Sequence, residues 1–496
     1  MIILPYKSFF SARNLIPAIL LVYVVFFISA CTGNSDNLEV IHRKADIFPG
    51  YYDLTLPLNV APLNFIINEP GSRFKVEIKG QNGNSIVMSE RSPKIKIPLR
   101  KWHKLLTDNA GTNITVDISA LTNGTWKKYN QIKHFVSEHP IDSVLVYRLV
   151  YATHLKWDKM GIYQRELSNF RETPIIENHS TGNGCMNCHT FSDNNPNTMA
   201  IHFRIVNPGT LVWSNGKLQK IQTKIDGNMS AGVYPSWHPN GKHIAFATGK
   251  ISPHLTTRSK LPLDVADKAS GIFVYNTENH NSYTSPEIST NRRESMPEWS
   301  ADGNHLYFIS APEAVKGDAE SLLRSRYSLM RIAFDAESGT WGSSELLLNA
   351  DSLKLSFSML NASPNGRFLV CSASDFGYFT ILNQESDLYL FDTNLESCKK
   401  MELNSDFAES FSTWSSNSRW LVFSSKRTDG VYTFPYISHI DSAGNAGTPF
   451  LLPQKDPEIY TVLQANFNRP ELVKGKIKLK PAEIRDLVTG DAEKSQ

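Results

Sequence analysis

Two kinds of hydrophobic pattern divide the chain. From Tyr51 to about Pro140 the runs are short and alternate apolar with polar positions, as in Arg73-Phe-Lys-Val-Glu-Ile78 and Ile114-Thr-Val-Asp-Ile118. That period of two predicts strands with one buried face, and the Asn-Gly pairs at 82–83 and 123–124 supply hairpin turns between them. The expectation for residues 46–140 is a β-sandwich. A stretch over 141–204 then bridges to the second half, with Tyr147, Tyr151, Trp157 and Tyr163 along it.

Beyond about residue 205 the pattern repeats. Tyr234-Pro-Ser-Trp-His-Pro-Asn-Gly-Lys-His-Ile-Ala-Phe246 matches Met296-Pro-Glu-Trp-Ser-Ala-Asp-Gly-Asn-His-Leu-Tyr-Phe308, then Asn361-Ala-Ser-Pro-Asn-Gly-Arg-Phe-Leu-Val-Cys371 and Phe411-Ser-Thr-Trp-Ser-Ser-Asn-Ser-Arg-Trp-Leu-Val-Phe423. The turn positions Gly241, Gly303, Gly366 and Ser418 lie 62, 63 and 52 residues apart. Each is followed by an apolar strand and later by an outer-strand run such as Gly271–Tyr275, Leu329–Phe334 or Asp387–Phe391. One such unit cannot bury both faces alone, so the copies stack around an axis. Trp237, Trp299 and Trp414 are expected to pack between neighbouring units. These residues resemble the TolB-like β-propeller repeat, marked by a P-x-W-S-P-D-G turn leading into a strand. The resemblance implies an all-β chain in which about six blades over 205–470 follow the sandwich, with the last blade closed by strands from both ends of the array and a tail over 471–496.

The first 31 residues set the compartment. Lys7 and Arg13 precede an apolar run from Leu15 to Ala30, shorter than the roughly 20 residues a membrane-spanning helix needs. Ile28-Ser29-Ala30 then meets Cys31, which reads as a signal peptide ending at a processing site. The sequence resembles a bacterial lipobox, implying cleavage before Cys31 and lipidation of its sulfur, with residues 32–45 as a tether. Two or three acyl chains would hold the protein stably on a bilayer. Thr32 brings no acidic residue beside the cysteine, so the outer membrane of the cell envelope is favoured, facing the periplasm or the surface. Lys plus Arg number 51 against 48 Asp plus Glu, which leaves no field to draw nucleic acid.

Export gives meaning to Cys185-Met186-Asn187-Cys188-His189. C-x-x-C-H is the spacing by which a chain takes two thioether bonds to haem and offers the next imidazole to iron. The expectation is one covalent haem c, with Cys185 and Cys188 as thioethers and His189 as the proximal iron ligand. Met199 or His202 could reach the distal side, being 10 and 13 residues beyond His189, and His154 and His179 are upstream alternatives. Gly182 and Gly184 would let the backbone approach the macrocycle. Zinc would want a further ligand and commonly a second C-x-x-C, which is missing. A thioredoxin-type disulfide would want a βαβ context. Cys371 and Cys398 are left either to pair or to stay as buried thiols.

The whole chain resembles exported proteins of Bacteroidetes-type bacteria in which a TolB-like propeller carries one c-type haem motif. The implied role is electron transfer or redox sensing through a protein partner, from a membrane anchor, as a carrier rather than a catalyst. Two alternatives stay open. One is a propeller scaffold that binds protein or glycan. The other is a haem-dependent oxidoreductase, similar to the periplasmic nitrite reductases that join a cytochrome c to a propeller. No nucleophilic triad, phosphate-cradling glycine loop or telling carboxylate pair stands out.

Overall fold

The computed structural model describes residues 37–151, 159–224, 227–255, 263–315, 317–490 and 493–494. Cys31 and His154, named above, lie outside the described residues.

The alternating runs form strands as their period requires. Arg73–Gly80 buries Phe74, Val76 and Ile78, and it pairs along its length with Asn113–Thr122 in a seven-stranded sheet. A three-stranded sheet of Ile47–Phe48, Phe65–Ile67 and Lys94–Ile95 shares its core. A helix over Leu99–Asp108 completes that core through Trp102, Leu105 and Leu106, spaced to one helical face, and Trp102 Nε1 donates to the Val60 carbonyl at 3.0 Å. The helix is an addition to the all-strand expectation. Six polar or charged residues among its ten hide the three that matter.

The remaining strands form six further sheets in chain order. The first joins Val144–Tyr151, Met160–Glu166 and Glu172–Glu177 to Ala465–Val473, a strand from the far end of the chain. The second starts at Cys185–Phe191 and adds Met199–Arg204, Gly209–Ser214 and Lys217–Gln222, with Glu493–Lys494 laid parallel on its outer edge. The others start at Val233–Trp237, Arg293–Trp299, Ser356–Ala362 and Glu409–Trp414. These starting strands pack against one another in sequence. Ala465–Val473 packs against both Glu409–Trp414 and Cys185–Phe191, so the series closes on itself. A closed ring of sheets whose innermost strands pack side by side is a β-propeller.

The ring takes in more chain than its repeats advertise. Residues 144–204, within the stretch expected as a bridge, supply three of the four strands of the first sheet and two of the five of the second, and Leu472 and Val473 belong to the closing strand rather than to a tail. The repeat turns behave as predicted. Gly241, Gly303 and Gly366 sit at φ of 68°, 76° and 73°, and Ser418 takes the same left-handed conformation at 56°. Trp237, Trp299 and Trp414 are buried in apolar clusters formed between neighbouring sheets. Cys371 and Cys398 are unpaired thiols.

Candidate functional site

Every innermost strand carries an irregularity at one register. It falls between Asn187 and His189, Val233 and Ser236, Ser295 and Glu298, Ser358 and Asn361, and Ser410 and Ser412, and in the closing strand opposite Val146 to Arg148. A bulge bends a strand and re-aims the side chains next to it. At five of the six the backbone turns left-handed on a residue other than glycine: Tyr234, Met296, Met359, Phe411 and Arg469, with φ between 45° and 51°. All five line a central cavity of about 180 Å³. Each left-handed turn costs on the order of 1 kcal/mol, so the ring holds these side chains there against a backbone preference.

A belt of polar residues lies two positions further on: Thr190, Ser236, Glu298, Asn361, Thr413 and Glu471, all on the cavity wall. Four of them accept a main-chain N–H from the next strand around the ring. Ser236 Oγ takes Trp299 N at 3.4 Å, Glu298 Oε1 takes Ala362 N at 3.1 Å, Thr413 Oγ1 takes Leu472 N at 3.1 Å, and Glu471 Oε2 takes Phe191 N at 2.9 Å. The two carboxyls differ from their neutral neighbours in what burial does to them. Desolvation pushes Glu298 up to about 7 and Glu471 up to about 8, against the opposing pull of Arg469 and of their own hydrogen bonds. Arg469 Nε stands 3.3 Å from Glu471 and its Nη2 donates to the Pro235 carbonyl at 3.1 Å. The cavity therefore offers donors, acceptors and two carboxyls that titrate near neutral pH. Sequence reading passed over both carboxyls. Their signal was the middle position of Pro-Glu-Trp and Pro-Glu-Leu, where the other copies carry Ser, Asn or Thr.

The C-x-x-C-H segment is the innermost strand of the second sheet, in place of the short turn the motif suggests. Cys188 is its bulge residue, and His189-Thr190-Phe191 fall where other copies have Pro-x-Trp. The extra residue shifts the pairing. Cys185 lies opposite Arg204 and Asn187 opposite His202, whereas His189 lies opposite Ile201. Opposed residues share a face and faces alternate, so Cys185 and His189 leave different sides of the sheet.

Cys185 is 1 % exposed and receives a hydrogen bond on Sγ from Arg204 Nη2 at 3.4 Å. His189 is 1 % exposed, and neither ring nitrogen has a hydrogen-bond partner. The Val146 and Arg469 carbonyls favour its charged form without meeting hydrogen-bond geometry; desolvation, then the charges of Arg469 and Arg148, hold its pKa near 3. The imidazole is neutral, with a lone pair to give.

Of the distal candidates, Met199 is wholly buried opposite Phe191 and Trp213. His202 is 2 % exposed, its Nδ1 is 2.9 Å from Thr210 Oγ1, and desolvation, then Arg204, hold it near 3. His179 sits exposed on a short 3-10 turn. The space beside Gly182 and Gly184 is filled by Val206, whose atoms a Cβ at either position would meet at 3.0 Å, so these glycines serve the fold and not a macrocycle. Among the described residues no three His, Cys, Asp or Glu side chains gather as a metal site, and no helix is long and apolar enough to cross a membrane.

For a c-type haem the donor chemistry fits: two thiols with two residues between them, then a buried imidazole whose nitrogens are unclaimed. A buried polar group without a partner costs about 1–3 kcal/mol, and an absent ligand is one physical reason for a fold to retain it.

No family model matches the chain, and no curated protein matches it. Solved structures do. A chain of a nidogen/laminin complex is 10% identical with a TM-score of 0.40, the match covering 67% of this chain and 99% of that one. A hypothetical selenium-binding protein from Sulfolobus tokodaii is 10% identical at 0.40, covering 83% and 96%. The β-propeller domain of the Trilobed protease from Pyrococcus furiosus is 10% identical at 0.32, covering 66% and 78%. Scores at this level leave the propeller to stand on its own closed ring of strands.

Proposed function

We propose that this chain is an envelope lipoprotein, anchored through Cys31, in which a β-sandwich and a six-bladed propeller carry one covalent haem c on Cys185 and Cys188, with His189 as an axial ligand. It passes or senses electrons through a protein partner and transforms no substrate of its own. The observation that supports this best is His189, sealed from water, neutral and unpartnered directly after the two thiols. Haem, when bound, supplies one-electron iron chemistry. The chain contributes a dry surrounding of Met186, Met199, Ile201 and Phe203. Bringing Cys185 and His189 to one face requires the 185–204 hairpin to open at Cys188, the one residue of its two strands without a cross-strand partner. The test is the intact mass of protein matured in a host with haem-attachment machinery. A gain of one haem, with a Soret band, is expected, and both should vanish in the Cys185→Ala/Cys188→Ala variant. Colourless protein with unmodified thiols overturns the proposal.

The central cavity favours a second reading, a propeller that binds a small polar ligand at Glu298, Glu471 and Arg469. Colourless protein whose melting point rises with such a ligand would support it.

A further inference from the structure

We infer that the outer face of the seven-stranded sheet docks on the bilayer, with an apolar corner entering the headgroup layer and flanking cations meeting anionic phospholipid. This rests on the lipid proposed at Cys31 and is independent of the haem. Of the residues expected as a tether, Asn37–Lys44 form a strand, laid parallel on Thr125–Asn130 at the edge of the sheet. Only residues 32–36 separate that strand from Cys31. Six steps of chain reach at most about 20 Å, so acyl chains on Cys31 hold the start of the strand close to the membrane surface.

Register decides what this corner presents. Ile41, Tyr129, Ala120 and Phe74 lie on the inner face, whose core also takes in Trp420 and Phe434 of the propeller, so the other face points away from the ring. There Leu38 stands beside Trp126, then Leu121, then Arg73, and the next row joins Val40, Lys128, Ser119 and Lys75. Leu38 and Val40 are 61 % and 53 % exposed. An edge strand that leaves both in water carries apolar surface the fold does not use, which marks a contact made elsewhere. Trp126 beside them is partly buried, and an indole suits the boundary between headgroups and acyl chains. Arg73, Lys75 and Lys128 are exposed around this corner, and neither row holds a carboxylate. Glu77 and Asp117 come one row further in, where Asp117 meets Lys79 at 3.3 Å and Lys128 at 3.8 Å. An apolar corner rimmed by cations fits an anionic lipid surface.

The test reconstitutes the full-length protein, expressed in a host that lipidates it, into vesicles of phosphatidylcholine alone or in equal mixture with phosphatidylglycerol, each brominated on the acyl chains. Flotation reports the anchor, and tryptophan emission reports contact between the sheet and the lipid. Wild type should float with both. Its emission should be quenched in the anionic vesicles, at least about twofold less in neutral vesicles or at high salt, and Trp126→Phe should remove that quenching. Arg73→Glu/Lys75→Glu/Lys128→Glu should float like wild type and lose at least about half of the quenching. Leu38→Asp/Val40→Asp should do the same, so that the result does not hang on the folding of one variant. Protein that floats without quenching overturns the inference and leaves the anchor standing, the face then belonging to a protein partner or a second copy. Quenching equal in neutral and anionic vesicles, or unmoved by charge reversal, overturns the part given to the cations. Protein that fails to float overturns the lipid at Cys31 itself.

Discussion

Glu298 and Glu471 each accept a main-chain N–H that would otherwise lie bare at the seam between two sheets, and each does so in surroundings that resist its charge. The folded state therefore keeps protons that the unfolded chain gives up near pH 4.5. Stability contributed by these protons is present below that pH and is lost as pH climbs through about 7 and about 8. Over that window the slope should reach about 1.4 kcal/mol per pH unit for each proton involved. Glu298→Gln, which keeps an acceptor for Ala362 N, should flatten the curve; denaturant midpoints taken from pH 5 to 8 would show it, and an unchanged slope would rule the carboxyl out as its source. At this scale the sequence disclosed the thiols and imidazole of the motif, because their chemistry resides in their spacing. It concealed the carboxyls, since Glu in Pro-Glu-Trp looks like the wet side of an alternating strand until the ring folds that side inward.

Among the elements, the repeat turn shows how one motif carries different burdens. A Cβ at Gly241 would meet nothing within 4 Å, so Gly241→Ala should cost only the left-handed penalty of about 1–2 kcal/mol. A Cβ at Gly303 would come 2.4 Å from His238 Nε2, whose ring stacks edge-on against Trp299 and bonds the Gly303 carbonyl at 2.9 Å. Gly303→Ala should therefore cost clearly more than Gly241→Ala, as thermal melts of the two variants would show. Ser418→Gly relieves a left-handed serine but gives up the bond from Asn365 N at 3.0 Å, two effects of about 1 kcal/mol each, so its melt should stay near wild type. The four turns were legible because glycine, asparagine and tryptophan recur at fixed places. The second sheet showed only as a degenerate copy at Asn195–Phe203, since it has lost the proline and the glycine of the turn and keeps only Phe191 where the tryptophan belongs. The helix over 99–108 escaped for a similar reason, its apolar face being three residues wide.

Across the whole molecule, the two halves share one core and one set of latches. Trp420 and Phe434 of the propeller belong to the same buried apolar cluster as Trp102 and Phe65 of the N-terminal half. Asp142 accepts from Ser416 N and Oγ at 2.7 and 2.6 Å, and Trp420 Nε1 donates to the His139 carbonyl at 3.1 Å. The ring closes only when Ala465–Val473 pairs with Val144–Tyr151. A chain ending before Ala465 should therefore lose cooperative unfolding altogether and not merely shorten the protein; a sharp melt from such a truncation would show that closure is dispensable. Closure by both ends could be anticipated from the repeats, whereas the docking of the halves could not, because contacts between distant segments leave no periodic trace.

The apolar cluster that shuts Cys185 away includes Val473, Ile477, Ile484 and Val488, which leave a ribosome or a translocon long after that cysteine does. Until they arrive, that sulfur stays within reach of an enzyme; once they settle, it is sealed. Any covalent tailoring of this thiol thus has a deadline set by the order of synthesis, and slowing delivery of residues 473–488 should lengthen the time allowed for it.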